Sequence, residues 1–123
     1  MNDRILKTAL KAVERSKEEY RLAAVIFDKH KIISVGINSK RHSNKLHPNF
    51  RKWEGSIHAE QDCILRARTD LRRASMLVIR VNKQGELRLA LPCIHCQQYI
   101  HYVGIKKCYY SDSTGEIKLM EVR

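Results

Sequence analysis

What the chain has little of narrows it first. Its 123 residues include two prolines and five glycines, too few for a proline-rich linker or a collagen-like repeat. No apolar stretch approaches the ~20 residues that a membrane-spanning helix requires, so no membrane partner is expected. The opening residues pass straight into a charged helical pattern with no apolar signal segment, which predicts a cytoplasmic protein. Four cysteines are too few for a disulfide scaffold, and in that compartment they are expected to be thiols serving metal binding or catalysis. Acidic residues are scarce as well: 13 Asp and Glu stand against 24 Lys and Arg, a net charge of +11. Such an excess favours polyanionic partners such as nucleic acid or nucleotides.

What is present suffices for a core. Hydrophobic residues make up 43% of a length typical of one domain, and residues 1–123 are read as a single domain without repeats or linkers. Leu6, Ala9, Leu10 and Val13 recur at helical spacing and predict a first helix over residues 3–16, with Asn2 as its N-cap. Residues 22–27 and 32–37 read as a hairpin around the polar turn Asp28-Lys29-His30-Lys31. Residues 38–56 carry no periodic pattern, and a loop of that length in a small domain suggests function. A second helix is expected over residues 57–68, a buried strand over 76–81 and a short extended stretch over 87–91. A third helix starts at Pro92 and stops at Gly104. Residues 107–111 and 117–122 read as the last two strands. The order αββαβαββ implies one sheet covered by helices.

Two short motifs carry the chemistry: His58-Ala59-Glu60 and Pro92-Cys93-Ile94-His95-Cys96. Cysteines at i and i+3 on the first turn of a helix share one face and can bind one tetrahedral ion. The positive end of the helix dipole favours the thiolates that zinc needs. His58, at the start of another helix, supplies a third ligand, and three protein ligands leave one position open for water, the pattern of a catalytic site. Glu60 is placed beside that water, where a carboxylate can move its proton. A structural zinc finger would need a fourth ligand, and Cys63 and Cys108 lack motif spacing. They are expected in the core, and His95 off the ligand face.

These motifs and the order of elements around them, over nearly the whole chain, resemble the cytidine deaminase superfamily. The resemblance implies a three-layer α/β/α fold on a five-stranded mixed sheet. It makes Zn2+ the cofactor, His58, Cys93 and Cys96 its ligands, and Glu60 the proton shuttle. It also implies that Asn38 touches the substrate's sugar or base, and that the Ala59 N–H and the Leu91 carbonyl grip the pyrimidine edge. Five residues, 112–116, join the last two strands, too few for a parallel crossover, so an antiparallel hairpin is predicted. That pattern resembles the branch holding free-cytidine deaminases and several polynucleotide cytosine deaminases.

Free-cytidine enzymes of this family typically carry cysteine in place of His58, and a ribose-binding glutamate in place of Lys40. A lysine cannot accept a hydrogen bond from a ribose hydroxyl but can pair with a phosphate. Residues 31–52 hold six Lys or Arg (Lys31, Lys40, Arg41, Lys45, Arg51 and Lys52) and no acid, with His42, His47 and Phe50 among them and Trp53 just beyond. Such a mixture suits a strand whose phosphates are held while bases stack. Lys40, Trp53 and Tyr110 are therefore candidate substrate contacts; of Tyr109 and Tyr110, one should face the core by alternation. Arg66, Arg68, Arg72 and Arg73 are expected to stabilise the C-terminus of the second helix. The leading expectation is zinc-dependent deamination of cytosine to uracil in single-stranded nucleic acid. The alternatives are a deaminase of free cytidine, deoxycytidine or its monophosphate, an adenine deaminase acting on RNA, and an inactive zinc-fold nucleic-acid-binding module.

Overall fold

The computed structural model describes residues 3–40 and 57–122. Its elements run α1 (Asp3–Val13), β1 (Arg21–Asp28), β2 (Lys31–Ile37), α2 (Ala59–Ala67), β3 (Ser75–Val81), β4 (Leu87–Arg88), α3 (Ile94–Tyr102), β5 (Lys107–Ser111) and β6 (Ile117–Glu121). The sheet order is β2-β1-β3-β5-β6, with β4 pairing the end of β3. Only β3 and β5 are parallel, and β5 and β6 form the antiparallel hairpin that the short connection requires.

Alternation along the strands sorts the core into two layers. Ala24 and Ile26 of β1 and Met76 and Val78 of β3 face α2 and α3, together with Cys63, Ile100 and Cys108. Ala23, Val25 and Phe27, with Leu77, Ile79 and Val81, face α1 through Ile5, Ala9, Ala12 and Val13. The three-layer α/β/α expectation holds. The sheet has six strands in place of the expected five, because the 87–91 stretch pairs with β3 at Leu87 and Arg88. Cys63 and Cys108 are buried, as expected.

Several boundaries shift for visible reasons. α1 ends at Val13, where the Arg15 and Ser16 N–H groups turn back to Ala12 and Val13 in tighter bonds of 3.0 and 3.1 Å. α2 starts at Ala59 because Ile57 exchanges both backbone hydrogen bonds with Ser39, at 2.9 and 3.1 Å. Pro92 lies just outside α3, whose N-cap is Cys93. Arg68 caps α2 in a left-handed conformation and Arg66 pairs with Asp62 at 3.0 Å, whereas Arg72 and Arg73 lie beyond the helix, in the turn before β3. They do not stabilise the α2 terminus.

The close fit of α2 on β2 positions the motif helix. A Cβ at Gly36 would run into the Cys63 backbone nitrogen and lie 2.7 Å from the Ala59 carbonyl oxygen. The buried carboxylate of Asp62 accepts the Ile37 N–H at 3.1 Å and bonds Arg66 through both oxygens. Ser34 donates its hydroxyl to the Cys63 carbonyl. Gly36→Ala should therefore lower the unfolding free energy by about 1–3 kcal/mol, the cost of overpacking against atoms that cannot yield. Urea titration measures this, and an unchanged midpoint would mean that α2 shifts freely on β2.

Candidate active site

Both motif helices begin at the same end of the sheet, beyond the carboxyl end of β3. His58 is the N-cap of α2 and Cys93 the N-cap of α3, so two positive helix ends converge there. Gln61 fixes the α2 start by accepting the His58 N–H on its side-chain oxygen at 2.9 Å. The loop entering α3 is held by Ser111, whose hydroxyl donates to the Arg88 carbonyl at 2.6 Å and whose own carbonyl accepts the Ala90 N–H at 2.8 Å. Gln97 donates to the Pro92 carbonyl at 2.8 Å.

Ligand atoms of His58, Cys93 and Cys96 all lie within 4.8 Å of one another, the one such His/Cys/Asp/Glu set among the described residues. Cys96 Sγ is 3.3 Å from His58 Nδ1. A tetrahedral zinc with ordinary Zn–S and Zn–N bonds would set that separation at about 3.5 Å. Hydrogen bonding from Cys96 pulls the Cys93 thiol down to about 3, burial opposing it, while the same contact and burial push Cys96 far up. Hydrogen bonding to Cys93 raises His58. A divalent cation held by these three donors would take the place of their protons.

Glu60 is 3% exposed, and its Oε1 is buried with no hydrogen-bond partner among the described residues. Burial drives its carboxyl above the usual range. A buried carboxylate oxygen left unpaired costs stability, so its place here fits a group that works on something entering the site. The donor set and this orphan oxygen together fit a zinc centre with one open position.

The adjoining cavity, about 220 Å3, is lined among the described residues by Leu22, Asn38, His58, Ala59, Glu60, Leu91 and Cys93. It brings together most of the residues anticipated from sequence and adds Leu22, which nothing in the sequence singles out. Asn38 does more than line it. Its Oδ1 accepts the Leu22 N–H at 2.9 Å and the Ser16 hydroxyl at 2.7 Å, and its Nδ2 donates to the Tyr20 carbonyl at 2.6 Å. Among the described residues the second Nδ2 hydrogen has no acceptor. Lys40 is exposed one residue beyond the Ser39–Ile57 bridge, outside the cavity lining. Tyr110 shares the α2/α3 side of the sheet with Cys108 but does not line the cavity, while Tyr109 packs on the α1 side against Phe27 at 6.2 Å. Trp53, with Arg41, His42, Lys45, His47, Phe50, Arg51 and Lys52, lies outside the described residues.

A cation site formed by one histidine and two cysteines at paired helix N-termini, over an α/β/α sheet, defines a zinc-dependent class. The chain belongs to the cytidine and deoxycytidylate deaminase zinc-binding family, whose model matches residues 1–112. Its fold is similar to that of a cytidine deaminase from Burkholderia pseudomallei (14% identity, 99% of this chain and 94% of that one, TM-score 0.70). It is also similar to dCMP deaminase from the cyanophage S-TIM5 in its apo form (20% identity, 93% and 87% of the chains, TM-score 0.59). The same phage enzyme in complex with dCMP and dUMP matches at 18% identity over 92% and 85% of the chains, TM-score 0.59. No curated protein sequence matches the chain. Among the described residues no helix is long and apolar enough to cross a membrane.

Protein purified without chelator should carry one zinc per chain. Elemental analysis should show that Cys96→Ser loses it, while Cys108→Ala, which removes a thiol buried elsewhere in the core, keeps it. Equal zinc in both variants would remove the assignment.

Proposed function

We propose that the protein hydrolyses the exocyclic amine of cytosine, giving uracil and ammonia, with the base presented by single-stranded nucleic acid. The observation that carries the chemistry is the buried Glu60 Oε1, without a hydrogen-bond partner among the described residues, at a cavity shared with His58 and Cys93. A zinc ion held by His58, Cys93 and Cys96 would supply Lewis-acid activation of the attacking water. Glu60 removes a proton from that water and delivers it to ring N3 as the C4–O bond forms; it then takes the remaining proton from the new C4 hydroxyl and passes it to the amine, so that the C4 carbonyl forms as the C4–N bond breaks and ammonia leaves. Ala59, the first residue of α2, has an N–H that no intrahelical carbonyl can accept, which leaves it for the pyrimidine edge. The Leu91 carbonyl offers the complementary acceptor, and the remaining Nδ2 hydrogen of Asn38 suits a sugar oxygen.

The polynucleotide reading rests on volume and charge. A cavity of about 220 Å3 lies below the ~300–1,000 Å3 of pockets that swallow a whole drug-sized ligand. It suits a base whose sugar and phosphates stay at the mouth. Lys40 follows Asn38, which lines the cavity, by two residues and opens a segment whose charged residues are all basic up to Lys52. Deamination of a free nucleotide is the second reading, favoured by the similarity to a phage enzyme solved with dCMP and dUMP.

Glu60→Gln should keep zinc and fold and lower turnover by about 10²–10⁴-fold, the usual worth of general acid–base catalysis. Turnover within tenfold of wild type would refute the proton-shuttle role. Incubation with cytidine, its monophosphate and DNA or RNA oligonucleotides, assayed for uracil and inosine, discriminates the substrates. Oligonucleotide turnover should fall with salt, with a log–log slope of about −0.7 per neutralised phosphate in binding. Lys40→Glu with Arg41→Glu and Lys45→Glu should abolish that turnover and leave zinc content unchanged. Salt-insensitive turnover of cytidine with no action on oligonucleotides would establish the small-molecule reading instead.

A further inference from the structure

A larger cavity, about 660 Å3, lies at the opposite end of the sheet from the candidate active site, where β1 ends and β3 and β5 begin. Leu22 lines the active-site cavity and Phe27 lines this one, five residues further along the same strand. At ~3.4 Å per residue the two sites are roughly 17 Å apart. Three separate connections bring cations to it: Lys29 from the β1–β2 turn, Arg72 and Arg73 from the α2–β3 turn, and Lys106 and Lys107 from the start of β5. Asp28 is the single acidic residue of the lining.

These cations are held close by the fold. Gly104, at φ +91°, ends α3 so tightly that a Cβ there would meet Arg72 Cγ at 2.8 Å, so the turns carrying Arg72 and Lys106 abut. Arg72 is neutralised by Asp70 at 2.6 Å. Lys29, Arg73, Lys106 and Lys107 make no ion pair among the described residues. The lining sets five cations against Asp28, with Asp70 engaged by Arg72 and Arg73 and Glu121 opposite Lys107 across the ladder, and the remaining excess of positive charge is one that an anion bound there would offset. The lining also includes half-buried Tyr109, packed on Phe27. A ring among cations distinguishes a nucleic-acid strand, which offers bases as well as phosphates, from a bare phosphate.

We infer that this cavity is a second nucleic-acid-binding site, holding the phosphates of a single strand remote from the catalytic cavity and contributing affinity without chemistry. It stands whether the enzyme's substrate is a polynucleotide or a free nucleotide, because binding, and not turnover, is what it predicts.

The test is fluorescence anisotropy of the zinc-loaded protein with a labelled single-stranded oligonucleotide across a salt series. Arg73→Glu with Lys106→Glu and Lys107→Glu should weaken binding at least tenfold. The log–log salt slope should become shallower by about 0.7 for each phosphate that the variant no longer holds. Zinc content and turnover of whichever substrate of mononucleotide size the enzyme accepts should be unchanged. Tyr109→Leu, which keeps the charge, should weaken binding by a smaller factor and leave the slope as it is. Wild-type-like affinity and slope in the triple variant would overturn the site. Binding of a nucleoside triphosphate that the triple variant abolishes, with no oligonucleotide binding by wild type, would overturn the nucleic-acid assignment.

Discussion

The close approach of α2 to β2 at Gly36 is the constraint on which the candidate site depends. Two backbones touch where any side chain would hold them apart, and the Asp62 carboxylate then ties the helix to Ile37. That contact fixes the height and tilt of the helix, and with them His58 at its cap and Glu60 in its first turn. The second half of the site is positioned from the other side of β3, where Ser111 bridges β5 to the chain entering α3. The donor set is thus assembled from two helices that each answer to a different strand. Both helices pack on the same face of the sheet, which holds the two halves of the set together.

The charge of +11 is distributed in a way that composition alone does not reveal. Of the acidic side chains of α2, Glu60 is buried against the candidate cavity and Asp62 is tied to Ile37 and Arg66. Cations gather instead at the far end of the sheet, where parallel β3 and β5 both begin and antiparallel β1 ends, so that three connections meet. Helix dipoles at one end and side-chain charge at the other make both ends of the sheet positive. A polyanion would meet a favourable field at either end.

Much of this is legible in the sequence because the decisive signals are local. The spacing of Cys93 and Cys96, the His58-Ala59-Glu60 triplet and the five-residue link between the last strands each act within a few residues, where helix and turn geometry leave little freedom. The α/β/α layering follows from the order of elements. What cannot be read depends on partners far apart in the chain. Ser111 looks like an ordinary strand residue until its hydroxyl meets Arg88, and Leu22 like a core residue until Asn38 captures its N–H. Asn38 stands out in the sequence as a ligand contact, yet most of its hydrogen-bonding capacity goes to the chain leading from Ser16 to Leu22. Arg72 and Arg73 follow a helix closely enough in sequence to suggest its C-terminal turn, but the helix stops at Ala67 and leaves them outside it.

The Ser39–Ile57 bridge has an evolutionary consequence. It joins the two ends of the 17 residues between them just before α2 begins. For a flexible loop, doubling the length between clamped ends costs only about 0.6 kcal/mol in closure entropy. Insertions, deletions and wholesale exchange of that stretch therefore load the bridge and not the catalytic frame. A lineage could lengthen, shorten or replace what lies between Ser39 and Ile57 many times over, while the contact of α2 with β2 at Gly36 goes on unaltered.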